Sequence, residues 1–138
     1  MNAYQRTKKK MKYRKYATFN CQGLNSKIKK LSLADDFLHH KLTIMMIQET
    51  RIKGDGVYKI KSSNGTMMHF FNSGHQSNSY GGTGFIVTEN SKVTFKPISE
   101  RISLLTVMYG KTKYVFISVY APDKRIDNHR SKQNTNFL

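Results

Sequence analysis

The sequence predicts an α+β fold, a mostly antiparallel sheet with a helix on one face. Three observations carry this. Short apolar, β-branched runs bounded by turn residues recur between residues 16 and 120. A single segment, after Asn25-Ser26, has apolar residues at helical spacing. No repeat of fixed period is visible, which excludes solenoids and propellers. The chain has 138 residues, of which 38% are hydrophobic, so it has room for one domain with a small core. A domain of this size buries only about two-thirds of its unfolded surface, so a missing element would be felt.

Taken in order, Tyr16–Asn20 reads as a strand ending in the polar turn Cys21-Gln22-Gly23-Leu24-Asn25. Asn25 or Ser26 can cap the helix that follows, with Ile28, Leu31, Leu38 and Leu42 as its apolar face. Thr43–Ile47 is a continuous apolar run whose length and branching favour a strand buried on both faces. Residues 51–66 are polar and contain glycine, so they read as a loop. Thr66–Phe71 reads as another strand, Asn72–Ser79 as a second loop, and Gly82–Val87 as a further strand. Arg101–Met108 and Tyr114–Tyr120 are the clearest strands, joined through Gly110, which can take the positive φ of a tight hairpin. Ala121-Pro122-Asp123 stops the last one. The total is about six strands and one helix.

Charge is the strongest compositional signal. Lys plus Arg number 24 against 8 Asp plus Glu, a net +16. This points to polyanions, with nucleic acid ahead of anionic membrane. No apolar run approaches the ~20 residues of a spanning helix, and no secretory apolar region lies near the N-terminus. The single Cys21 excludes an internal disulfide framework and fits a reducing compartment, nuclear or cytoplasmic. Residues 1–15 hold seven Lys or Arg and no acid, from Arg6 to Lys15. Such a block repels itself and reads as a disordered tail, serving either as an import signal or phosphate-grasping arm, or simply as a solvated terminus. Residues 124–138 are polar and aperiodic, a second unstructured tail. Residues 16–123 are left as the folded unit.

Several residues could carry chemistry. Glu49 directly follows the buried run, in Ile47-Gln48-Glu49-Thr50. A carboxylate at the carboxyl end of a buried strand sits at a sheet rim, where α/β sites form, and can anchor a hard divalent cation. It is equally placed to be the first solvated residue after a strand. Asn20 ends the first strand, where its amide can meet metal or phosphate or simply start a turn. Tyr120 can offer a phenol to a phosphate oxygen or pack across the sheet. Arg101 can grip phosphate in a planar, two-pronged contact or serve as a solvated edge charge. Adjacent His39-His40 diverge on a helix and make no ligand pair, and one Cys with scattered His excludes a structural zinc site. Gly81-Gly82-Thr83-Gly84 lacks the Lys-Ser/Thr of a phosphate-binding loop and precedes a strand instead of a helix. Cys21 has no organised base beside it to make it a nucleophile.

The order of these pieces says more than any one of them. Thr18-Phe19-Asn20-x-x-Gly23-Leu24-Asn25 closes a strand. A helix and a buried strand then end in Ile47-Gln48-Glu49-Thr50. A Gly81-Gly82-Thr83-Gly84-Phe85 strand follows, then a hairpin ending in Val119-Tyr120-Ala121-Pro122. Over about residues 16–123 this resembles the endonuclease/exonuclease/phosphatase superfamily. It is most similar to the apurinic-endonuclease-like domains of non-LTR (LINE-type) retrotransposons and to the retrotransposon-derived craniofacial development protein 2-like proteins.

The resemblance implies roles position by position. Glu49 matches the family's metal-binding glutamate, and Asn20 the asparagine that helps hold metal and scissile phosphate. Tyr120 matches the tyrosine that contacts that phosphate. The implied cofactor is Mg²⁺, with Mn²⁺ as an alternative, and the implied partner is DNA. The loops around Arg51, Lys53 and Arg101 would lie near the DNA backbone. Gln22 stands where many relatives have Asp or Asn, and Asp123 where several have Asn.

The family pattern continues after Tyr-Ala-Pro with a helix, a Gly-Asp-Phe-Asn motif, a later Asp and a terminal Ser-Asp-His, none of which this sequence contains. The expectation is the N-terminal half of a four-layer α/β sandwich, a truncated Mg²⁺-dependent endonuclease domain inactive alone. Two other outcomes compete with it. One is a basic protein that binds nucleic acid without cutting it. The other is an interaction fragment whose bare sheet face pairs with a second-half polypeptide or another copy of itself.

Overall fold

The structure is a computed structural model that describes residues 13–122. Its elements are β1 (Tyr16–Asn20), α1 (Lys27–His39), β2 (Ile44–Gln48), β3 (Gly56–Lys61), β4 (Met67–Ser73), β5 (Thr83–Thr88), β6 (Val93–Ser99), β7 (Ile102–Tyr109) and β8 (Thr112–Val119). The class is α+β, with a single helix among the described residues. The strands divide between two sheets. A five-stranded mixed sheet has the order β1-β2-β5-β4-β3, and a three-stranded antiparallel sheet the order β6-β7-β8.

β1 and β2 run parallel, and α1 forms the crossover that a parallel pair requires. Ser26 caps α1: its hydroxyl accepts from the Lys29 backbone N–H at 3.1 Å. The helix buries Leu33, Ala34 and Phe37 against the sheet. This corrects the expected apolar face, since Ile28 is 80% exposed and Leu31 is also exposed. Leu38 and Leu42 do pack on the core from its margin. The run that matters is i, i+1 and i+4, and the short side chain of Ala34 allows close approach to the strands. Asp35, near the middle of the helix, accepts from the Ser63 backbone N–H at 2.8 Å and so ties α1 to the β3–β4 turn.

The five-stranded sheet is packed on both faces. On the helix side Met45, Ile47, Ile60, Met68, Phe70 and Ile86 meet Leu33, Ala34 and Phe37. On the other side Ile44, Phe71, Phe85 and Val87 meet Leu105 and Val107 of the small sheet. β2 therefore alternates its side chains between two buried layers, as its unbroken apolar run predicts. The layer order is helix, large sheet, small sheet.

The outer face of the small sheet has no cover among the described residues. Ile102, Met108, Val115, Ile117 and Val119 point outward and are between 37% and 54% exposed. Val119 pairs with Ile102 and Ile117 with Leu104, so these side chains form one continuous apolar surface.

Two strands lie where the sequence reading placed none. β3 falls within the expected 51–66 loop. It is an edge strand whose Val57 and Tyr58 are exposed, with Ile60 alone fully buried, so its pattern is weak. β6 contains Pro97, and the ladder tolerates it because β6 is also an edge and its register shifts between Pro97 and Ser99. β4 runs on through Asn72 and Ser73, which their Asn-, Ser- and Gly-rich surroundings place in a loop. The β7–β8 hairpin turns at Gly110 with φ 61°, as expected. Of the basic N-terminal tail, residues 1–12 lie outside the described residues, as do Asp123 and the 124–138 tail. Lys15 is held by Thr43, whose backbone N–H donates to the Lys15 carbonyl at 2.8 Å.

Candidate functional site

The parallel strands β1 and β2 end side by side, with Asn20 opposite Gln48. The chain after β1 then runs along the chain after β2. The Cys21 N–H donates to the Gln48 carbonyl at 2.9 Å, Gly23 to Glu49 at 2.7 Å, and Leu24 to Thr50 at 2.9 Å. Glu49 is therefore placed by backbone bonds at the rim where both strands stop.

Its direction is set by a break in alternation. Ile44 and Met46 face the small sheet, while Met45 and Ile47 face the helix. A continued strand would send Glu49 into the helix-side core beside Leu24. Instead Glu49 takes φ 55°, and Arg51 two residues later takes φ 53°. Each left-handed non-glycine residue costs about 1–2 kcal/mol, so the surroundings must hold them there. The carboxylate ends up beside Tyr120 and 3.4 Å from Arg51 Nη2, with only 17% of the side chain exposed.

Tyr120 follows β8, and its N–H donates to the Arg101 carbonyl at 2.8 Å. Burial pushes its phenol well above the usual tyrosine range, and contacts with Tyr80 and the Glu49 carboxylate push it further in the same direction. The phenol therefore keeps its proton and serves as a hydrogen-bond donor at any ordinary pH. The Tyr80 and Tyr120 rings stand edge to face, 6.3 Å apart.

Beneath this rim the space between the sheets turns from apolar to polar. Gln48 Nε2 donates to Thr18 Oγ1 at 3.0 Å and to Ser118 Oγ at 3.1 Å, and Ser118 Oγ donates to the Ile47 carbonyl at 2.9 Å. Thr83 Oγ1 donates to Ser103 Oγ at 3.0 Å. Thr83, Ser103 and Ser118 are buried and paired, so this end of the sandwich is tied by hydrogen bonds where the far end is tied by aliphatic packing.

Asn20, Glu49 and Tyr120 thus share one rim. Asn20 Oδ1 accepts from the Gln22 N–H at 3.2 Å, and Gln22 itself has φ 50°. Arg51 is paired with Glu49, and Arg101 presents its carbonyl to Tyr120 on the opposite lip. Lys53 is exposed on the loop that leaves the rim. Cys21 turns its thiol onto the Gln48 and Glu49 carbonyls at 3.2 and 3.3 Å, and burial pushes its pKa up, which opposes a nucleophilic role. His39 and His40 lie at the end of α1, with rings 5.1 Å apart and edge to face.

The glycines of Gly81-Gly82-Thr83-Gly84 serve backbone contact. The Thr50 N–H donates to the Gly82 carbonyl and the Arg51 N–H to that of Gly81. A Cβ on Gly82 would strike the Thr50 hydroxyl. Sequence reasoning missed Thr50, Asn72, Gln48 and Ser118. Asn72 sits in a stretch rich in Asn, Ser and Gly that reads as loop, and the signal that could reveal it is the aromatic pair Phe70-Phe71 running into it.

The donor set at the rim is one carboxylate and one amide oxygen. The Asn20 oxygen spends one lone pair on Gln22 and keeps the other. Among the described residues no group of three His, Cys, Asp or Glu gathers anywhere. These oxygens fit a hard cation such as Mg²⁺, which binds through one or two carboxylates and retains most of its water. They do not fit a zinc site. No helix among the described residues is long and apolar enough to cross a membrane.

No protein-family model matches the chain, and no curated protein matches its sequence. Its structure is similar to that of the endonuclease domain of TRAS1, a telomere-specific non-LTR retrotransposon, with a TM-score of 0.52 and 19% sequence identity. The match covers 86% of this chain and 49% of that structure, so the chain spans about half its length. The likeness is one of fold, to about half of that domain.

Proposed function

We propose that this chain carries the metal-and-phosphate side of a Mg²⁺-dependent, retrotransposon-type endonuclease site, and that alone it holds DNA without cutting it. The observation that supports this reading most is Glu49 turned toward Tyr120 at the strand end where Asn20 also stops, in an endonuclease-like fold. Glu49 and Asn20 would hold the cation. When bound, Mg²⁺ supplies Lewis-acid stabilisation of charge on a phosphodiester. The Tyr120 phenol, held protonated, donates to a non-bridging phosphate oxygen. Arg51, Lys53 and Arg101 carry the flanking phosphates, and the net +16 supplies the long-range attraction.

Hydrolysis also needs a group to activate water, and the later Asp and His motifs that supply it in the family this sequence resembles are not found in this sequence. Lack of a general base alone costs roughly 10²–10⁴-fold. The apolar outer face of the small sheet, uncovered among the described residues, favours a second reading, in which another polypeptide seats there. Size-exclusion chromatography of this chain, alone and mixed with a fragment holding the family's second-half motifs, tests that pairing.

Nicking of supercoiled plasmid, with and without Mg²⁺, tests the main proposal in wild type and Glu49→Gln. The expected result is no nicking by either protein, with plasmid retention that weakens steeply as salt rises. Nicking that requires both Mg²⁺ and Glu49 would overturn the claim that the chain is silent alone. Retention insensitive to salt would overturn the basic DNA-holding surface.

A further inference from the structure

Glu49 reaches the rim through a left-handed backbone, and so does Arg51; Thr50 lies between them, fully buried. The Thr50 side chain points away from the rim into the large sheet, where its hydroxyl donates to Asn72 Oδ1 at 2.5 Å. Asn72 lies on β4, opposite Gly84 of β5, and is also fully buried. Its amide nitrogen donates twice more, to the Ile52 carbonyl at 3.1 Å and the Gly54 carbonyl at 2.8 Å. One buried side chain therefore holds three points of the 50–54 segment, and all its bonds go to that segment. A polar side chain in an apolar layer with every bond spent on one loop is costly unless those bonds form together. The backbone bonds of Thr50 and Arg51 to Gly82 and Gly81 close the segment from the other side.

We infer that Asn72, acting through Thr50, is a positioning residue that aims the Glu49 carboxylate at the rim. Without the tie, residues 49–51 can relax toward ordinary extended backbone, which returns the carboxylate toward the helix-side core and away from Tyr120. This rests on the reading of Glu49 as the cation anchor.

Two measurements on the full chain test it. Mn²⁺ serves as the probe, with free ion followed by electron paramagnetic resonance in wild type, Glu49→Gln, Thr50→Val, Thr50→Ser and Asn72→Ala. Thr50→Val replaces the hydroxyl with a methyl, and Thr50→Ala stands in if that methyl unfolds the protein. Loss of the tie is expected to weaken Mn²⁺ binding on the order of 10-fold, as with other groups that orient a ligand, while Thr50→Ser stays near wild type. Amide hydrogen exchange supplies the second readout. In Thr50→Val the Arg51 and Gly54 amides should exchange faster while those of β4 and β5 do not change.

Unchanged Mn²⁺ binding in Thr50→Val and Asn72→Ala, alongside loss in Glu49→Gln, would overturn the positioning role and leave the Glu49 site standing. Equal binding by wild type and Glu49→Gln would overturn the site itself and this inference with it. Equal acceleration at β4, β5 and the loop would show general destabilisation and also overturn the positioning role.

Discussion

The two sheets carry similar strand chemistry and meet different fates. The large sheet is covered by α1 on one face and by the small sheet on the other, and its central strand β5 is buried from Thr83 to Val87. The small sheet buries Leu105 and Val107 inward and leaves Ile117 and Val119 at 54% exposure outward. Apolar alternation alone does not secure burial; a covering element must exist. The difference also locates the rim. Glu49 leaves a strand packed between two layers, whereas Tyr120 leaves an edge strand of a sheet covered on one face among the described residues.

Substitution within the doubly covered sheet should show the largest effect. Phe70 is fully buried and stacks on Tyr58 with ring centroids 5.5 Å apart. Phe70→Ala is expected to cost about 3–5 kcal/mol, enough to unfold a marginal domain, as read by denaturant titration. A loss under about 1 kcal/mol would mean that the two sheets are not so different.

The seam between the sheets supplies a pH test. Burial, with a hydrogen bond in which the Tyr109 hydroxyl donates to Tyr16, pushes the Tyr109 phenol up to about 12 from its ordinary 10.0. The unfolded chain releases that proton near 10.0 and the folded protein keeps it to about 12. This contribution is fully present below the unfolded value and falls as pH rises through the window between the two. Thermal unfolding across that window should show the decline, and Tyr109→Phe should flatten it.

The smallest effect belongs to the bare face. Ile117→Thr keeps β-branching, removes apolar surface and should shift stability by no more than about 0.5 kcal/mol. Binding of a hydrophobic dye should fall at the same time. A loss comparable to that of Phe70→Ala would show that something covers this face.

Much of the rim was legible in the chain because its residues sit at strand ends. Asn20 and Glu49 close short runs that read as strands on apolar content alone, and Tyr120 follows the clearest hairpin. The helix cap was narrowed to Asn25 or Ser26, and the structure uses Ser26. The helix face was not, because Ile28 and Leu31 look as apolar as Leu33 and Phe37, and which stripe turns inward depends on the strands beneath. β3 and β6 were hidden for the same reason. Edge strands need only one good neighbour, so Val57 can face water and Pro97 can sit in β6, opposite Ser103 and beside a register shift.

By itself the sequence determined the local facts: which runs are apolar, where they stop, that the chain is strongly basic, and which polar groups stand at strand ends. Each depends on residues close together along the chain. The tertiary structure decided the division into two sheets, the burial of Asn72, and the turn at Glu49 that swings its carboxylate toward Tyr120. Those depend on contacts between segments about 20 to 70 residues apart, such as Thr50 with Asn72 and Gln48 with Ser118. Local pattern cannot specify such contacts, because their energy appears only once the layers have packed.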